Sequence, residues 1–230
     1  MDNVFAVITI DVIDSKKSNK EIKDFLIENN IHTDEKDLIS VFLEYKSQEC
    51  SFVLESEELI RTKVCSSRGD EIQVLCSNIK NIPEVTRKLR YYFRPLNLRV
   101  GIGIGEISTE INQNSWDMNG EAFFRAREAL DQVKKEDKMR MTYIISPDKK
   151  LDFIANSMYM LMDSIIGEWT ISKWESVHAY ERYNNYEQAG NYLNKTRQAV
   201  SNSCKIAHFE KIKQCEKDIK ALIENYLMKE

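Results

Sequence analysis

Acidic residues stand at two places where the end of a strand would present them to a metal ion. Asp11 follows an apolar, β-branched run at residues 4–10, which predicts a buried strand. Asp70 and Glu71 lie at a tight turn predicted between two further strands. If those strands pair beside the first, the carboxylates converge at one end of a sheet, as Mg²⁺ or Mn²⁺ ligands would. Asp11 and Asp70 are therefore the candidate catalytic residues, and Asp11, Asp70 and Glu71 are the candidate metal ligands.

Other polar residues are candidates for binding a nucleoside triphosphate or another nucleotide through its phosphates. They are Asp14, Ser15, Lys16, Arg68 and Arg127. Bound metal ions in such a site hold phosphates and activate a hydroxyl for in-line attack. The alternative is that each carboxylate only solvates the surface at a strand end. The recurrence of acidic residues at two strand ends favours a site.

The elements around these residues predict a mixed α+β fold with a ferredoxin-like or palm-type sheet. Strands are predicted at residues 4–10, 61–67, 71–77, 98–107 and 141–145, and helices at 19–30, 34–47, 83–93 and 120–134. Strand signals end after Lys150, and only helices are predicted beyond it. We therefore expect an α/β domain over residues 1–150 and an all-α segment with a helix-turn-helix over residues 151–230.

Three alternating glycines lie within one predicted strand, at Gly101, Gly103 and Gly105. They do not form a dinucleotide-binding fingerprint, because Glu106 follows where a helix should begin. Glycines inside a strand are instead typical of a place where another part of the backbone approaches closely.

Three motifs resemble the class III nucleotidyl cyclase fold. They are TIDVIDS at residues 9–15, RGDEIQVL at residues 68–75 and LRVGIGIGEIST at residues 98–109. In that fold, one Asp ends the first strand and another lies in a Gly-Asp hairpin, and the two bind two metal ions. The resemblance assigns these roles to Asp11 and Asp70.

The chain is most similar to the SatD family, over roughly residues 4–145. That family has an Asp-Ser element after the first strand, a Gly-Asp-Glu-Phe-Gln-like hairpin and a Gly-x-Ala-Phe…Ala-Arg helix. The corresponding segments here are residues 14–15, 69–73 and 120–127. The resemblance implies a cyclase-like sheet, and it specifies the fold better than the function.

One departure from true cyclases bears on catalysis. Their penultimate helix carries an Asn and, four residues later, an Arg that stabilises charge in the transition state. Alignment on Gly120 places Phe124 and Glu128 at those positions. Losing a transition-state donor costs about 10²–10³ in rate, so the sequence favours metal–nucleotide binding over catalysis.

Residues 187–205 have the spacing of a helix-turn-helix. Gly190 is the small residue where the helices cross, Asn194 suits a left-handed turn, Thr196 suits a helix N-cap, and Val200 fills the core. The outward-facing set contains no acidic residue and comprises Arg197, Gln198, Ser201, Asn202 and Lys205. Such side chains contact base edges and phosphates, which predicts binding to double-stranded DNA. The alternative is a helical hairpin used only for packing or dimerisation.

Composition limits the cellular setting. The 230 residues carry a net charge of −4, so charge alone does not indicate a nucleic-acid binder. Five cysteines without metal-ligand or redox spacing indicate free thiols in a reducing cytoplasm. We expect no signal peptide, because Asp2 and Asp11 interrupt the apolar start, and no membrane span, because residues 154–166 are too few.

The first hypothesis is a DNA-binding regulatory protein with a metal- and nucleotide-binding cyclase-like domain. The second is an active metal-dependent nucleotidyl cyclase or nucleotidyltransferase that uses an NTP, with the helix-turn-helix regulating or assembling it. The third is a cyclase-derived scaffold that binds neither ligand. We expect a homodimer, because cyclase-like domains share sites across a two-fold axis and helix-turn-helix proteins often bind DNA as dimers.

Overall fold

The computed structural model describes residues 4–13, 18–34, 38–66, 70–135 and 140–227. The strands are β1 (Phe5–Ile13), β2 (Cys65–Ser66), β3 (Glu71–Leu75), β4 (Asn97–Gly105) and β5 (Thr142–Ile145). The helices are α1 (Asn19–Glu28), α2 (Leu38–Ser56), α3 (Ile82–Tyr92), α4 (Glu121–Lys135), α5 (Lys149–Gly167), α6 (Ile171–Tyr183), α7 (Tyr186–Tyr192), α8 (Arg197–Ile206) and α9 (Phe209–Leu227). Four predicted phosphate-site residues, Asp14, Ser15, Lys16 and Arg68, lie outside the described residues.

The described strands form one five-stranded mixed sheet in the order β2-β3-β1-β4-β5. β1 lies at the centre and pairs antiparallel with β3 and β4, while β5 runs parallel to β4. The chain order through β4 is a βαββαβ arrangement in which α1 and α2 together form the first crossover. The predicted mixed α+β class is confirmed.

One face of the sheet is covered by α4, and the glycines of β4 allow the contact. A Cβ on Gly101 would lie 2.3 Å from the carbonyl oxygen of Ala126. A Cβ on Gly103 would lie 2.0 Å from the carbonyl oxygen of Ala122. Real side chains do not fit at such distances, so the helix backbone rests directly on the strand. The close approach predicted at these glycines is therefore between a helix and the sheet.

The opposite face of the sheet carries a large continuous core. It begins at sheet residues such as Ile8 and Ile102, passes through Tyr159 of α5, and reaches Val200 of α8 and Ile219 of α9. The sheet and the C-terminal helices therefore share buried apolar surface, which is the main stabilising contribution in folding. The division into domains at residue 150 stays a prediction.

Side chains of α5 form hydrogen bonds with backbone groups along the outer edge of β5. The side-chain amide of Asn156 accepts from the Ile144 backbone N–H at 2.8 Å and donates to the Ile144 carbonyl at 2.9 Å. Asp163 accepts from the Met141 N–H at 3.0 Å. An edge strand otherwise presents unpaired backbone groups that template association with another chain. Helix α5 removes that hazard at β5.

Two predicted elements, β2 and α2, differ most in length from those observed. Described β2 is only Cys65–Ser66, because the Thr62 hydroxyl, rather than a backbone group, accepts the Leu75 N–H at 3.0 Å. Helix α2 continues to Ser56 instead of ending near residue 47. It does so because Cys50 and Leu54 extend its buried face by two further turns.

A buried ion network joins α3 to the C-terminal helices. The Arg87 side chain is 4% exposed, and its Nε donates to Glu216 of α9 at 2.6 Å. Its Nη2 donates to Glu181 of α6 at 2.8 Å, and Lys213 also contacts Glu181 at 3.1 Å. Burial alone would lower the pKa of Arg87, but the two carboxylates outweigh it and raise that pKa. The positive charges of Arg87 and Lys213 thus balance the negative charges of Glu181 and Glu216.

Acid should weaken this network through Glu181. Burial acts to raise the Glu181 pKa, but Arg87 and Lys213 outweigh it and hold the pKa below its ordinary value of 4.5. A carboxyl group whose pKa is depressed by folding stabilises the fold above the unfolded-state pKa. That contribution disappears as pH falls through the folded-state value. At neutral pH, Glu181→Gln should lower the free energy of unfolding by about 3 kcal/mol, measured by urea unfolding.

The difference between the Glu181→Gln variant and the parent protein should shrink steadily below pH 4.5, where Glu181 itself takes up a proton. Glu44→Gln is the matched control, since Glu44 is exposed in α2 beyond the first turn of that helix. It should leave the stability of the protein unchanged at both pH values. A Glu181→Gln deficit that is the same at neutral and acid pH would contradict this assignment.

Candidate functional site

Three charged residues lie side by side across the centre of the sheet. Asp11 of β1 is directly opposite Glu71 of β3 on one side and Arg99 of β4 on the other. Because side chains alternate along a strand, Arg99 shares a face with Gly101 and so points toward α4. Lys134, in the last turn of α4, completes the group. Asp11, Glu71, Arg99 and Lys134 are called the strand-end cluster below.

The cluster is charge-balanced. Asp11 is 8% exposed, and its two oxygens contact Arg99 Nη1 at 3.2 Å and Lys134 Nζ at 3.0 Å. Glu71 contacts the same Lys134 Nζ at 3.3 Å. Partial burial acts to lower the pKa of Lys134, but Asp11 and Glu71 outweigh it and raise that pKa. Two carboxylates therefore hold two cations, and Lys134 stays protonated.

The structure brings together some of the residues predicted for this site. Asp11 and Glu71 meet as predicted, and Asp70 stands just before β3, partly exposed. Arg127 is seven residues before Lys134, about 10 Å along the helix axis, and it lines a separate small cavity with Trp116. The roles predicted for Asp70 and Arg127 stay predictions.

Sequence reasoning missed Arg99 and Lys134, the two cations of the cluster. Arg99 could have been found, because it alternates with the glycines of β4 that face α4. Lys134 carried no comparable signal, since a lysine in the last turn of a helix commonly interacts with the helix dipole alone.

Two of the three predicted metal ligands, Asp11 and Glu71, already contact a cation. Among the described residues, no group of three or more His, Cys, Asp or Glu side chains is placed to hold one. The oxygens of Asp11 are already paired with two cations. A divalent ion at Asp11 would compete with Lys134 and Arg99 for the carboxylate, and metal ligation by Asp11, Asp70 and Glu71 stays a prediction.

A second candidate surface is formed where α7 and α8 pack against each other and against α6. A Cβ on Gly190 would lie 2.6 Å from the Lys195 carbonyl oxygen, so the crossing requires glycine. Asn194 has a φ of 53°, in the left-handed region, as predicted. The Thr196 hydroxyl accepts the Ala199 N–H at 3.1 Å and caps α8, also as predicted.

The structure places all five predicted DNA-contacting residues on one side of α8. Val200 and Cys204 are buried on its inner side. Four of the five are exposed and Ser201 is partly exposed; the set is Arg197, Gln198, Ser201, Asn202 and Lys205. Helix α8 contains no acidic residue. Its outer face is therefore polar, basic and accessible.

The fold thus defines an α+β protein whose mixed sheet carries C-terminal helices. The sequence matches the SatD family over residues 6–215, and the chain belongs to that family. No curated protein matches it. A solved structure to which it is similar is that of a bacterial light-regulated adenylyl cyclase. That similarity has a TM-score of 0.37 and 10% identity, and it covers 62% of this chain and 75% of the other.

Within the described parts of the chain, each helix is too short or too polar to cross a bilayer.

The cap of α8 gives a direct test of the geometry of this surface. Thr196→Ala removes the acceptor for the Ala199 N–H and should lower the free energy of unfolding by about 1 kcal/mol. Thr196→Ser keeps that acceptor and should restore most of the loss. Urea unfolding of the three proteins makes the comparison, and equal stability of the Ala and Ser variants would show that α8 is not capped in this way.

Proposed function

We propose that this protein is a DNA-binding regulatory protein that contacts duplex DNA through the outer face of α8. The observation that supports the proposal best is the exposed, acid-free face of α8, held on a three-helix unit by Gly190, Asn194 and Thr196. Helix-turn-helix proteins insert the second helix of such a unit into the major groove. α8 would be that recognition helix.

The side chains on this face divide by the contacts that they favour. Arg197, Gln198 and Asn202 have the donors and acceptors for bidentate contacts to base edges. Ser201 and Lys205 suit phosphate contacts. Because α8 has few cations and the chain carries a net charge of −4, affinity should be modest and should fall as salt rises.

The same proposal includes a homodimer. A two-fold axis would present two α8 helices to successive major grooves about 34–36 Å apart. The selected DNA sites should then contain two inverted half-sites.

Selection from random duplexes at physiological salt should enrich a sequence. Arg197→Ala should relax preference at one base pair, with a loss of about 1–3 kcal/mol, because a base contact is removed. Lys205→Ala should weaken binding to all sequences nearly equally, because a phosphate contact carries no sequence information. Binding is measured by fluorescence anisotropy on the enriched duplex and on a scrambled one.

Lys220→Ala is the matched control, since it removes an exposed lysine from α9. It should leave both affinities unchanged. If no sequence enriches, with or without nucleotides, the α8 face serves packing or a protein partner and the DNA proposal is wrong.

A second candidate function is binding of a nucleotide with Mg²⁺ or Mn²⁺. It is supported by Asp11 and Glu71, which lie in register on one face, with Asp70 beside Glu71. Asp11 and Asp70 would hold the metal, with Glu71 as a further ligand. Asp14, Ser15, Lys16 and Arg68, which lie outside the described residues, would bind the phosphates.

Catalysis as a nucleotidyl cyclase or nucleotidyltransferase is the alternative for this domain. Phe124, which occupies a position where cyclases resembling this fold carry a transition-state residue, is 66% exposed on α4. Glu128, at the second such position, is an exposed acid and cannot stabilise anionic charge. For this domain, the residues therefore support nucleotide binding without catalysis.

Metal–nucleotide binding gives opposite predictions for the carboxylates of the site and for Lys134. Asp11→Asn and Asp70→Asn should each weaken Mn²⁺–NTP binding at least tenfold, or about 1.4 kcal/mol. Lys134→Gln should strengthen Mn²⁺ binding, because Lys134 competes with the ion for Asp11 and Glu71. Mn²⁺ electron paramagnetic resonance measures free ion, and chromatography of each NTP incubation detects any product.

Glu110→Gln removes an exposed carboxylate elsewhere and should change nothing. Unchanged Mn²⁺–NTP affinity in Asp11→Asn and Asp70→Asn would refute the site. Formation of a cyclic nucleotide or of a nucleotidyl-transfer product would instead favour the catalytic function over binding without turnover.

A further inference from the structure

A cavity of about 410 Å³ lies where the end of α3, the start of β4, and helices α5 and α6 meet. Its volume falls within the range of about 300–1,000 Å³ typical of small-molecule sites. The residues that matter for its chemistry are Phe25, Arg90, Arg94, Asp163, Trp169 and Trp174. This space is called the α5–α6 cavity below, and it is separate from the strand-end cluster and from the outer face of α8.

Arg94 is a partly buried cation without a carboxylate partner among the described residues. Its Nη1 donates to the Ile171 carbonyl at 3.3 Å, while its buried Nε has no hydrogen-bond partner in the described structure. The guanidinium lies over the rings of Tyr91, at 4.8 Å, and Trp174, at 5.8 Å. Burial lowers the pKa of Arg94. A partly buried cation without a counter-charge is less well hydrated than a fully exposed one, so a ligand anion would be stabilised here.

The other charges near the cavity are already paired or exposed. Arg90 and Asp163 contact each other at 3.2 Å, and Asp163 also accepts the Met141 N–H. Glu175, which acts on Arg94 through space, is paired with Lys195 at 3.1 Å. Glu21, on the cavity wall, is exposed on α1. The positive charge of Arg94 is therefore the one in the cavity that no described carboxylate balances.

The walls around Arg94 are aromatic. Trp169 and Trp174 pack edge to face with ring centroids 4.7 Å apart, and Phe25 lines the same space. A guanidinium fork matches a carboxylate through two parallel hydrogen bonds. Aromatic walls suit a planar ring, because offset and edge-to-face ring contacts are favourable beyond the area they bury.

We propose that the α5–α6 cavity is a binding site for a small aromatic carboxylate. The carboxylate contacts the Arg94 guanidinium, and the ring lies against the indoles of Trp169 and Trp174. The site is independent of DNA binding and of metal–nucleotide binding, so its test can succeed or fail separately from theirs.

The test uses the full-length chain and ¹⁹F NMR with 4-fluorobenzoate as the probe. Its neutral and cationic counterparts, 4-fluorobenzamide and 4-fluorobenzylamine, should bind at least tenfold more weakly, because they lack the anion that Arg94 pairs with. Arg94→Gln should weaken benzoate binding at least tenfold. Arg182→Gln is the matched control, since Arg182 also stacks on two tyrosines but lies outside the cavity. It should bind benzoate as the parent protein does.

A second variant tests the same site without changing its charge. Gly167 lines the cavity, and a Cβ added there meets no atom within 4 Å. Gly167→Phe should therefore fold and obstruct the cavity, whereas Gly167→Ala should leave benzoate binding intact, and circular dichroism checks the fold of each variant. The proposal is overturned if benzoate does not bind at about 10 mM, if the amine binds as tightly as benzoate, or if Arg94→Gln and Gly167→Phe both bind benzoate normally.

Discussion

The buried guanidinium of Arg87 is the contact on which the arrangement of the two halves of this chain depends. It belongs to α3, against the sheet, and bonds carboxylates on α6 and α9 at the same time. Removing one partner of a buried pair leaves a charge without compensation, at a cost of about 3–5 kcal/mol, so any arrangement that separates Arg87 from these carboxylates is disfavoured. The Trp169 indole adds a bond to the Ala207 carbonyl at the end of α8. The polar face of α8 is thereby held in one direction relative to the sheet.

The same rule, that a buried charge needs a partner, applies to the strand-end cluster and to the α5–α6 cavity. Asp11 is buried at the end of β1 and is stabilised by Arg99 and Lys134, so the strand-end cluster is neutral without any bound ion. Lys134 contacts both Asp11 and Glu71, which makes it a competitor of any metal ion bound there. Among these sites Arg94 is the exception, because it contacts the Ile171 carbonyl and two aromatic rings but no carboxylate of the described residues. That exception is what identifies the α5–α6 cavity as a site for an anion.

Much of the fold followed from local sequence pattern, and much of the site did not. The β-branched run of β1, the glycines of β4 and the cap of α8 act on neighbouring residues, so their sequence alone predicts their structure. Arg87 and Glu216 are 129 residues apart, and Asp11 and Arg99 are 88 apart. Such pairs form only when the sheet order and helix packing are set, and composition carries no record of them. The edge bonds from Asn156 to β5 were missed for the same reason.

Native-state hydrogen exchange at increasing urea tests most directly whether the C-terminal helices are fixed to the sheet as one unit. Ile8 in β1 and Ile219 in α9 belong to the same buried core, so their amides should exchange through openings of equal free energy and equal urea dependence. The helices α6 to α9 should then lose protection together with β1 and β4. Exchange in α6 to α9 at a free energy lower by more than about 2 kcal/mol, with the sheet still protected, would contradict the account.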